Sequence, residues 1–258
     1  LGASSGFGKA CTLALAKEGY HIFGVHLDRA AGMAQVEEMK AEIIALGVDA
    51  HFFNVNAADA DRRKEVMTAI TEECAKHTNA SVKVLLHSLA FGSLVPVVAA
   101  KPAAMLTQKQ IEMTMDVMAN SLVYWVQDTV TAGVFGRGGR VFGLTSAGSH
   151  RVLPMYGAVS AAKAAMESYI RQMALELAPW EITANAIRAG VTDTPALRKI
   201  PGNTILIENA LSRNPFHRLT TPQDVANAMV LLVRPEAGWI NGTVIGIDGG
   251  EDSVDVSW

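Results

Sequence analysis

The chain has 258 residues, half of them hydrophobic and 18% charged, which suits one large buried core and excludes a disordered protein. Its formal net charge of −3 carries no electrostatic footprint for nucleic acid. No apolar run approaches the ~20 residues that span a bilayer, so no membrane partner is expected. Two cysteines, Cys11 and Cys74, and seven histidines without HxxxH or HExxH spacing predict reduced thiols, a cytoplasmic protein and no metal site.

Helix and strand patterns alternate in chain order. Lys9 to Lys17 reads as a helix of small and apolar residues, stopped by Gly19, and His21 to Leu27 as a strand. Met33 to Leu46 is helical and closed by Gly47; Ala50 to Val55 is the next strand. Asp59 to Lys76 is an amphipathic helix, and Val82 to Leu86 a short strand of the fully buried type. Thr107 caps a long helix from Gln108 to about Thr131. Gly136-Arg137-Gly138-Gly139 reads as a turn before the strand Arg140 to Leu144. Tyr156 to Leu177 is a second long helix, and Ile182 to Ile187 a strand. The stretch from Val191 to about Thr221 is less regular and carries Pro195, Pro201 and Pro215. Thr221 caps a helix that opens at Pro222 and runs to Leu232. Thr243 to Ile247 is the last strand, ended by Asp248-Gly249-Gly250. This alternation, with no linker or repeat, predicts an α/β fold in a single domain over residues 1–258: a doubly wound parallel sheet of Rossmann type. A (β/α)8 barrel is the rival architecture.

The first glycines carry the next signal. Gly2-Ala3-Ser4-Ser5-Gly6-Phe7-Gly8 opens a helix, where close backbone approach and free N–H groups suit a pyrophosphate. A plain tight turn would explain the glycines alone about as well. Such a turn follows a strand, so most of a first strand is expected to be missing before Leu1. The spacing GxxxGxG resembles that of the short-chain dehydrogenase/reductase family, in which a Thr usually precedes the first glycine; Leu1 stands there. The resemblance implies dinucleotide binding. At the end of the second strand, an acidic group would hold the adenosine ribose of NAD and a basic one the 2′-phosphate of NADP. His26 stands where NAD-preferring members often carry Asp, and Asp28 and Arg29 follow. The signals conflict, and Arg29 tips the expectation toward NADP(H) over NAD(H). Asn54-Val55 stands where the family commonly has Asp-Val against the adenine.

Reaction chemistry is concentrated in Leu144-Thr145-Ser146 and in Tyr156 and Lys163 on the following helix. Hydride transfer leaves negative charge on a substrate oxygen; a phenol donates to it, and an ammonium stabilises it. The family usually spaces the pair as YxxxK. Here Val159 stands four before Lys163 and the tyrosine seven before it, almost two helical turns and ~10 Å along the axis, so both side chains can face one cleft. YxxxxxxK resembles the enoyl-acyl-carrier-protein reductase branch. His87-Ser88-Leu89-Ala90-Phe91 and Ala189-Gly190, in place of the common Asn-Asn-Ala-Gly and Pro-Gly, resemble the same branch. By that resemblance Ser88, Leu89 and Ala90 border the nicotinamide pocket, Val191 contacts the carboxamide through its backbone, Thr194 bonds the pyrophosphate or amide, and Lys163 holds the ribose. His87 reads as a buried structural residue. Met118 occupies the slot where classical members carry a relay Asn, and Asn120 is expected to face elsewhere. Ser146 stands where the better-known enoyl reductases carry a second Tyr.

The implied activity is reduction of a trans-2-enoyl thioester by an NAD(P)H-dependent enzyme, on an acyl carrier protein in fatty acid synthesis. Leu197, Ile200, Ile205, Ile207 and Leu211 in the segment 191–221 would form a lid over the acyl chain. Arg198, Lys199, Arg213 and Arg218 could meet an acidic carrier. Two rivals stay open: a carbonyl or hydroxy oxidoreductase of the same family, and a dinucleotide-binding regulator without catalysis. Ala161-Ala162 and Ala164-Ala165 permit close helix approach, and a homo-oligomer, tetramer or dimer, is expected.

Overall fold

The structure is a computed structural model and describes residues 1–254. Its elements are α1 (Gly6–Lys17), β1 (Ile22–His26), α2 (Met33–Ala45), β2 (Ala50–Asn54), α3 (Ala60–Ala75), β3 (Val82–His87) and α4 (Gln108–Met115). Then follow α5 (Ser121–Thr131), β4 (Phe135–Thr145), α6 (Gly157–Glu176), β5 (Thr183–Ala189), α7 (Asn203–Arg213), α8 (Pro222–Leu232) and β6 (Val244–Ile247). Every strand pairing is parallel: β1 with β2, and β3-β4-β5-β6 in that order.

Residues 1–3 stand between the two groups of strands. Gly2 and Ala3 donate their N–H groups to the Val25 carbonyl at 2.8 and 3.1 Å. On the other side the Leu1 ammonium donates to the Leu86 carbonyl at 2.6 Å, and Ser88 N–H donates to the Leu1 carbonyl at 2.9 Å. The order across the molecule is therefore β2-β1-(1–3)-β3-β4-β5-β6. A groove beside residues 1–3, lined by Phe23, Cys74, Val82, Val84 and Leu86, separates the rest of β1 from β3. The arrangement is the open, doubly wound sheet, not the barrel.

Side-chain alternation along the strands explains the two covering layers. On β4, Val141 faces a core built by α3, α5 and α6 through Val66, Ile70, Leu122, Trp125, Met166 and Ile170. Its neighbours Phe142 and Leu144 face the opposite core, built by α1, α2 and α8 through Cys11, Leu15, Met39, Ile43, Val225 and Met229. On β5, Ala186 and Ile187 divide the same way. Each fully buried side chain of this size contributes roughly 1.5–3 kcal/mol. Gly143 lets α6 approach the sheet, since a Cβ there would lie 2.9 Å from Met166 Sδ.

Differences from the sequence reading have local causes. α1 begins at Gly6 rather than Lys9, because Gly6 to Gly8 join the first turn with Ser5 as cap residue. The helix expected from Gln108 to Thr131 runs without interruption but contains a π-turn over Asp116–Asn120. Gly136–Gly139 is a bulge inside β4 rather than a turn before it: Val82 pairs with Phe135 and Val84 with Arg140, so the residues between them loop out. Gly138, with φ of 73°, supplies the left-handed position that this detour requires. The less regular 191–221 segment contains a full helix, α7.

Candidate active site

The C-terminal ends of the strands meet in a cleft of about 310 Å³. Phe7, Ser88, Leu89, Ala90, Ser146, Tyr156, Lys163, Ala189, Gly190, Val191 and Thr194, eleven of the expected site residues, all line it. Gly2, Ser4, Ser5, Gly6 and Gly8 form the adjoining turn. A Cβ on Gly8 would fall 1.9 Å from the Gly2 carbonyl oxygen, and one on Gly2 2.6 Å from the Ser88 oxygen. Gly2 (φ 80°) and Gly6 (φ 53°) are left-handed. The exposed Ser5 makes no side-chain cap to α1, so the first-turn N–H groups stay open to an anion. Thr194 closes this end, its Cγ2 3.6 Å from where a Gly6 Cβ would stand. The cradle fits a dinucleotide pyrophosphate.

The adenosine-side residues lie outside the cleft, at the ends of β1 and β2. His26 is buried, and its Nδ1 is 2.8 Å from Asp28 Oδ2. Asn54 ties the same loop: Asp28 N–H donates to Asn54 Oδ1 and Asn54 Nδ2 donates to the Asp28 carbonyl, both at 2.9 Å. Val55 N–H donates to the His26 carbonyl at 2.8 Å, and Arg29 is exposed beside the pair.

Tyr156 is the cap residue of α6, and the preceding Met155 is held at φ of 62°, a costly conformation for a non-glycine residue. A 3₁₀ turn over Ala147–Ser149 packs against the phenol ring. Ser146 Oγ accepts the Gly148 N–H at 3.1 Å, and Ser160 Oγ donates to the Gly148 carbonyl at 2.5 Å. Burial pushes the Tyr156 phenol above its ordinary value, and the Ser146 hydroxyl acts in the opposite sense. A Cβ on Gly148 would lie 2.5 Å from Tyr156 Cε1. Gly148→Ala is therefore expected to displace the phenol and lower kcat at least ~10-fold with little change in dinucleotide affinity; steady-state kinetics beside a binding titration checks this.

Lys163 is 5% exposed, and its Nζ donates to the Leu144 carbonyl at 2.5 Å and the Leu89 carbonyl at 3.4 Å. Burial lowers the ammonium to about 8, against the pull of Glu167 one turn along α6. Glu167 in turn accepts the Thr145 hydroxyl at 2.5 Å. Loss of the proton removes the positive charge, so kcat/KM is expected to fall as pH rises through about 8. A pH–rate profile that stays flat to pH ~10 would contradict this.

His87 is fully buried, its Nε2 2.8 Å from Ser121 Oγ, and burial with Lys163 nearby holds its ring well below the usual value. It supports the site from behind. Met118, in the π-turn, lines the cleft, while the Asn120 carboxamide turns away to accept the Tyr169 hydroxyl at 3.1 Å. Of the expected lid residues, Leu197 and Ile200 reach the cleft; Ile205, Ile207 and Leu211 do not, Ile205 and Leu211 being exposed, and Leu206 lines it instead. Helix α7 turns its faces differently from a loop, which accounts for the exchange. Arg198 and Arg218 are engaged by Asp193 and Asp224 at 2.8 and 2.7 Å, whereas Lys199 and Arg213 border the cleft.

Sequence reasoning missed the turn after β6. Glu251 is 5% exposed and lines the cleft, its Oε2 accepting the Val191 N–H at 3.0 Å. Asp252 gathers His150, Arg151 and Arg188 at 3.0, 2.6 and 3.1 Å, holding the loop between Ser146 and Tyr156. No local pattern marks these acids, because their partners are 60 or more residues away. Among the described residues no group of three His, Cys, Asp or Glu could hold a metal, and no helix is long and apolar enough to cross a membrane.

Residues 2–251 match the family model described as enoyl-(acyl carrier protein) reductase. The chain is 30% identical over 257 residues to 1-cyclohexenylcarbonyl-CoA reductase of Streptomyces collinus, covering 96% of this chain and 84% of the relative. It is 29% identical to the 3-oxoacyl-[acyl-carrier-protein] reductase of Thermotoga maritima, covering 96% and 94%. Among solved structures it resembles a short-chain dehydrogenase from Burkholderia cenocepacia in complex with NADP, at a TM-score of 0.81 and 25% identity over 98% and 96% of the two chains.

Proposed function

The chain is an oxidoreductase of the short-chain dehydrogenase/reductase family, and on that premise we propose that it reduces the double bond of a trans-2-enoyl thioester. The observation that carries this reading is the placement of Tyr156: at the cap of α6, seven residues before Lys163, with both in the same cleft. That spacing sets the phenol farther from the ammonium than YxxxK does. It suits a substrate whose carbonyl oxygen lies beyond the carbon that is reduced.

A nicotinamide dinucleotide would lie across the glycine turn, Ser88–Ala90 and Ala189–Val191, with Thr194 at its pyrophosphate and Lys163 at its ribose. When bound it supplies the hydride for C3. The residues then act on the charge that develops at the thioester oxygen. Tyr156 donates a hydrogen bond to that oxygen, the buried Lys163 ammonium makes the local potential more positive and so stabilises the enolate, and a proton from solvent then completes C2. Leu197, Ile200 and Leu206 exclude water from the acyl side. At the adenosine end, Asp28 is engaged by His26 and Arg29 stands exposed beside it, which supports NADPH over NADH. The thioester is carried by an acyl carrier protein or coenzyme A, with Lys199 and Arg213 at the mouth of the cleft facing the carrier's phosphate. Exposed Ala161 and Ala164 on α6 leave a close-packing face for a second copy of the chain.

A second reading, reduction of a 3-oxoacyl carbonyl, is favoured by Ser146 beside the phenol, where it could share the substrate oxygen. Transfer from [4-²H]-labelled dinucleotide separates the two. Deuterium at C3 of a saturated acyl product supports the enoyl reading, and deuterium on a 3-hydroxyacyl carbinol carbon overturns it.

A further inference from the structure

We propose that Glu251 competes with the nicotinamide carboxamide for the Val191 N–H, and so sets how tightly the dinucleotide binds. The inference rests on the reading that Val191 takes the carboxamide. In the structure that N–H is given to Glu251 Oε2 at 3.0 Å. The carboxylate is wedged against the backbone: a Cβ on Gly190 would lie 2.9 Å from Oε2 and 2.3 Å from Thr220 Oγ1. One N–H cannot serve two strong acceptors in line, so the carboxamide oxygen has to displace the carboxylate.

The surroundings give the displaced group somewhere to go. Arg213 at the end of α7 has its Nη2 4.0 Å from Glu251 Oε1, too far for a hydrogen bond. Its buried Nε has no acceptor among the described residues. A carboxylate released from Val191 would meet this guanidinium, which joins dinucleotide binding to the helix that covers the cleft.

Protonation offers a second route. The charged groups that face Glu251 are Arg213 from α7 and Asp248 and Asp252 from its own turn. Burial raises the Glu251 carboxyl above its ordinary value, while the Val191 N–H and Arg213 hold it down and the two aspartates push it up. Removing the Val191 bond raises it further. On this route, where the released carboxyl is protonated instead of pairing with Arg213, binding takes up a proton and affinity increases as pH falls.

The test compares wild type, Glu251→Gln and Glu251→Ala in fluorescence or calorimetric titrations with NADPH and with 2′-phospho-ADP-ribose, which lacks only the nicotinamide. Circular dichroism verifies the fold, and the near-isosteric Gln keeps the test open should Ala not fold. Both variants are expected to bind NADPH more tightly at neutral pH, Ala by about tenfold, with Gln between Ala and wild type. Affinity for 2′-phospho-ADP-ribose stays the same, and the pH dependence seen with wild type flattens in both variants. Variants that bind NADPH no better than wild type, or that shift NADPH and 2′-phospho-ADP-ribose together, overturn the inference while leaving the oxidoreductase reading intact. A wild type that binds neither ligand overturns both.

Discussion

Tyr156→Phe is expected to lower kcat with a trans-2-enoyl thioester by ~10²–10⁴-fold while leaving the dinucleotide Kd within about twofold. The substitution deletes one hydroxyl and keeps the ring, so the packing against Gly148 and the strained Met155 junction persist. What disappears is the only phenol lining the cleft among the described residues. The oxygen that gains charge during reduction then keeps only the Lys163 ammonium and the Ser146 hydroxyl nearby. Steady-state kinetics beside a fluorescence titration separates the two quantities. A drop in affinity equal to the drop in kcat would mean that Tyr156 holds the dinucleotide and not the reacting oxygen.

Lys163→Met is expected to lower kcat/KM by about 10³-fold or beyond, because one ammonium serves both the ribose and the developing charge. Dinucleotide binding should weaken as well, which distinguishes this variant from Tyr156→Phe. Stability should move little, within roughly 2 kcal/mol, since the cost of burying the ammonium vanishes together with its bond to the Leu144 carbonyl. The decline of activity above pH about 8 should vanish from whatever activity remains. A Lys163→Met protein that binds dinucleotide as wild type does would remove Lys163 from the ribose and leave it the electrostatic part alone.

Much of this architecture could be read from the chain because it is written locally. The strands that face two covering layers are short and apolar, and Phe142, Leu144 and Ile187 need only period-two alternation to be assigned. Thr107 and Thr221 announce helix starts by their own chemistry, and both form capping boxes, with Gln110 and Asp224. That the glycine turn, Ser146, Tyr156 and Lys163 come together at one cleft is legible because each sits at a fixed offset from a strand end or along one helix.

What escaped depends on contacts between distant parts of the chain. The π-turn at Asp116–Asn120 brings Met118 to the cleft, and nothing in the apolar periodicity distinguishes it from an ordinary helical turn. The bulge in β4 is a register shift against β3, visible only once both strands are paired. Helix α7 lies between prolines, which read as interruptions although they flank it. Glu251 and Asp252 follow Gly249-Gly250 and look like a solvated tail; burial and their partners on other loops make them part of the site.

The central claim is that Tyr156, set seven residues before Lys163, serves the oxygen of an enoyl thioester. Its most direct test is the rate of reduced-nicotinamide oxidation with a trans-2-enoyl thioester and with the 3-oxoacyl thioester of equal chain length on the same carrier. The account predicts turnover of the enoyl substrate with NADPH, lost in Tyr156→Phe, and little turnover of the 3-oxo substrate. Turnover of the 3-oxoacyl thioester alone would contradict it and leave a carbonyl reductase with displaced tyrosine spacing.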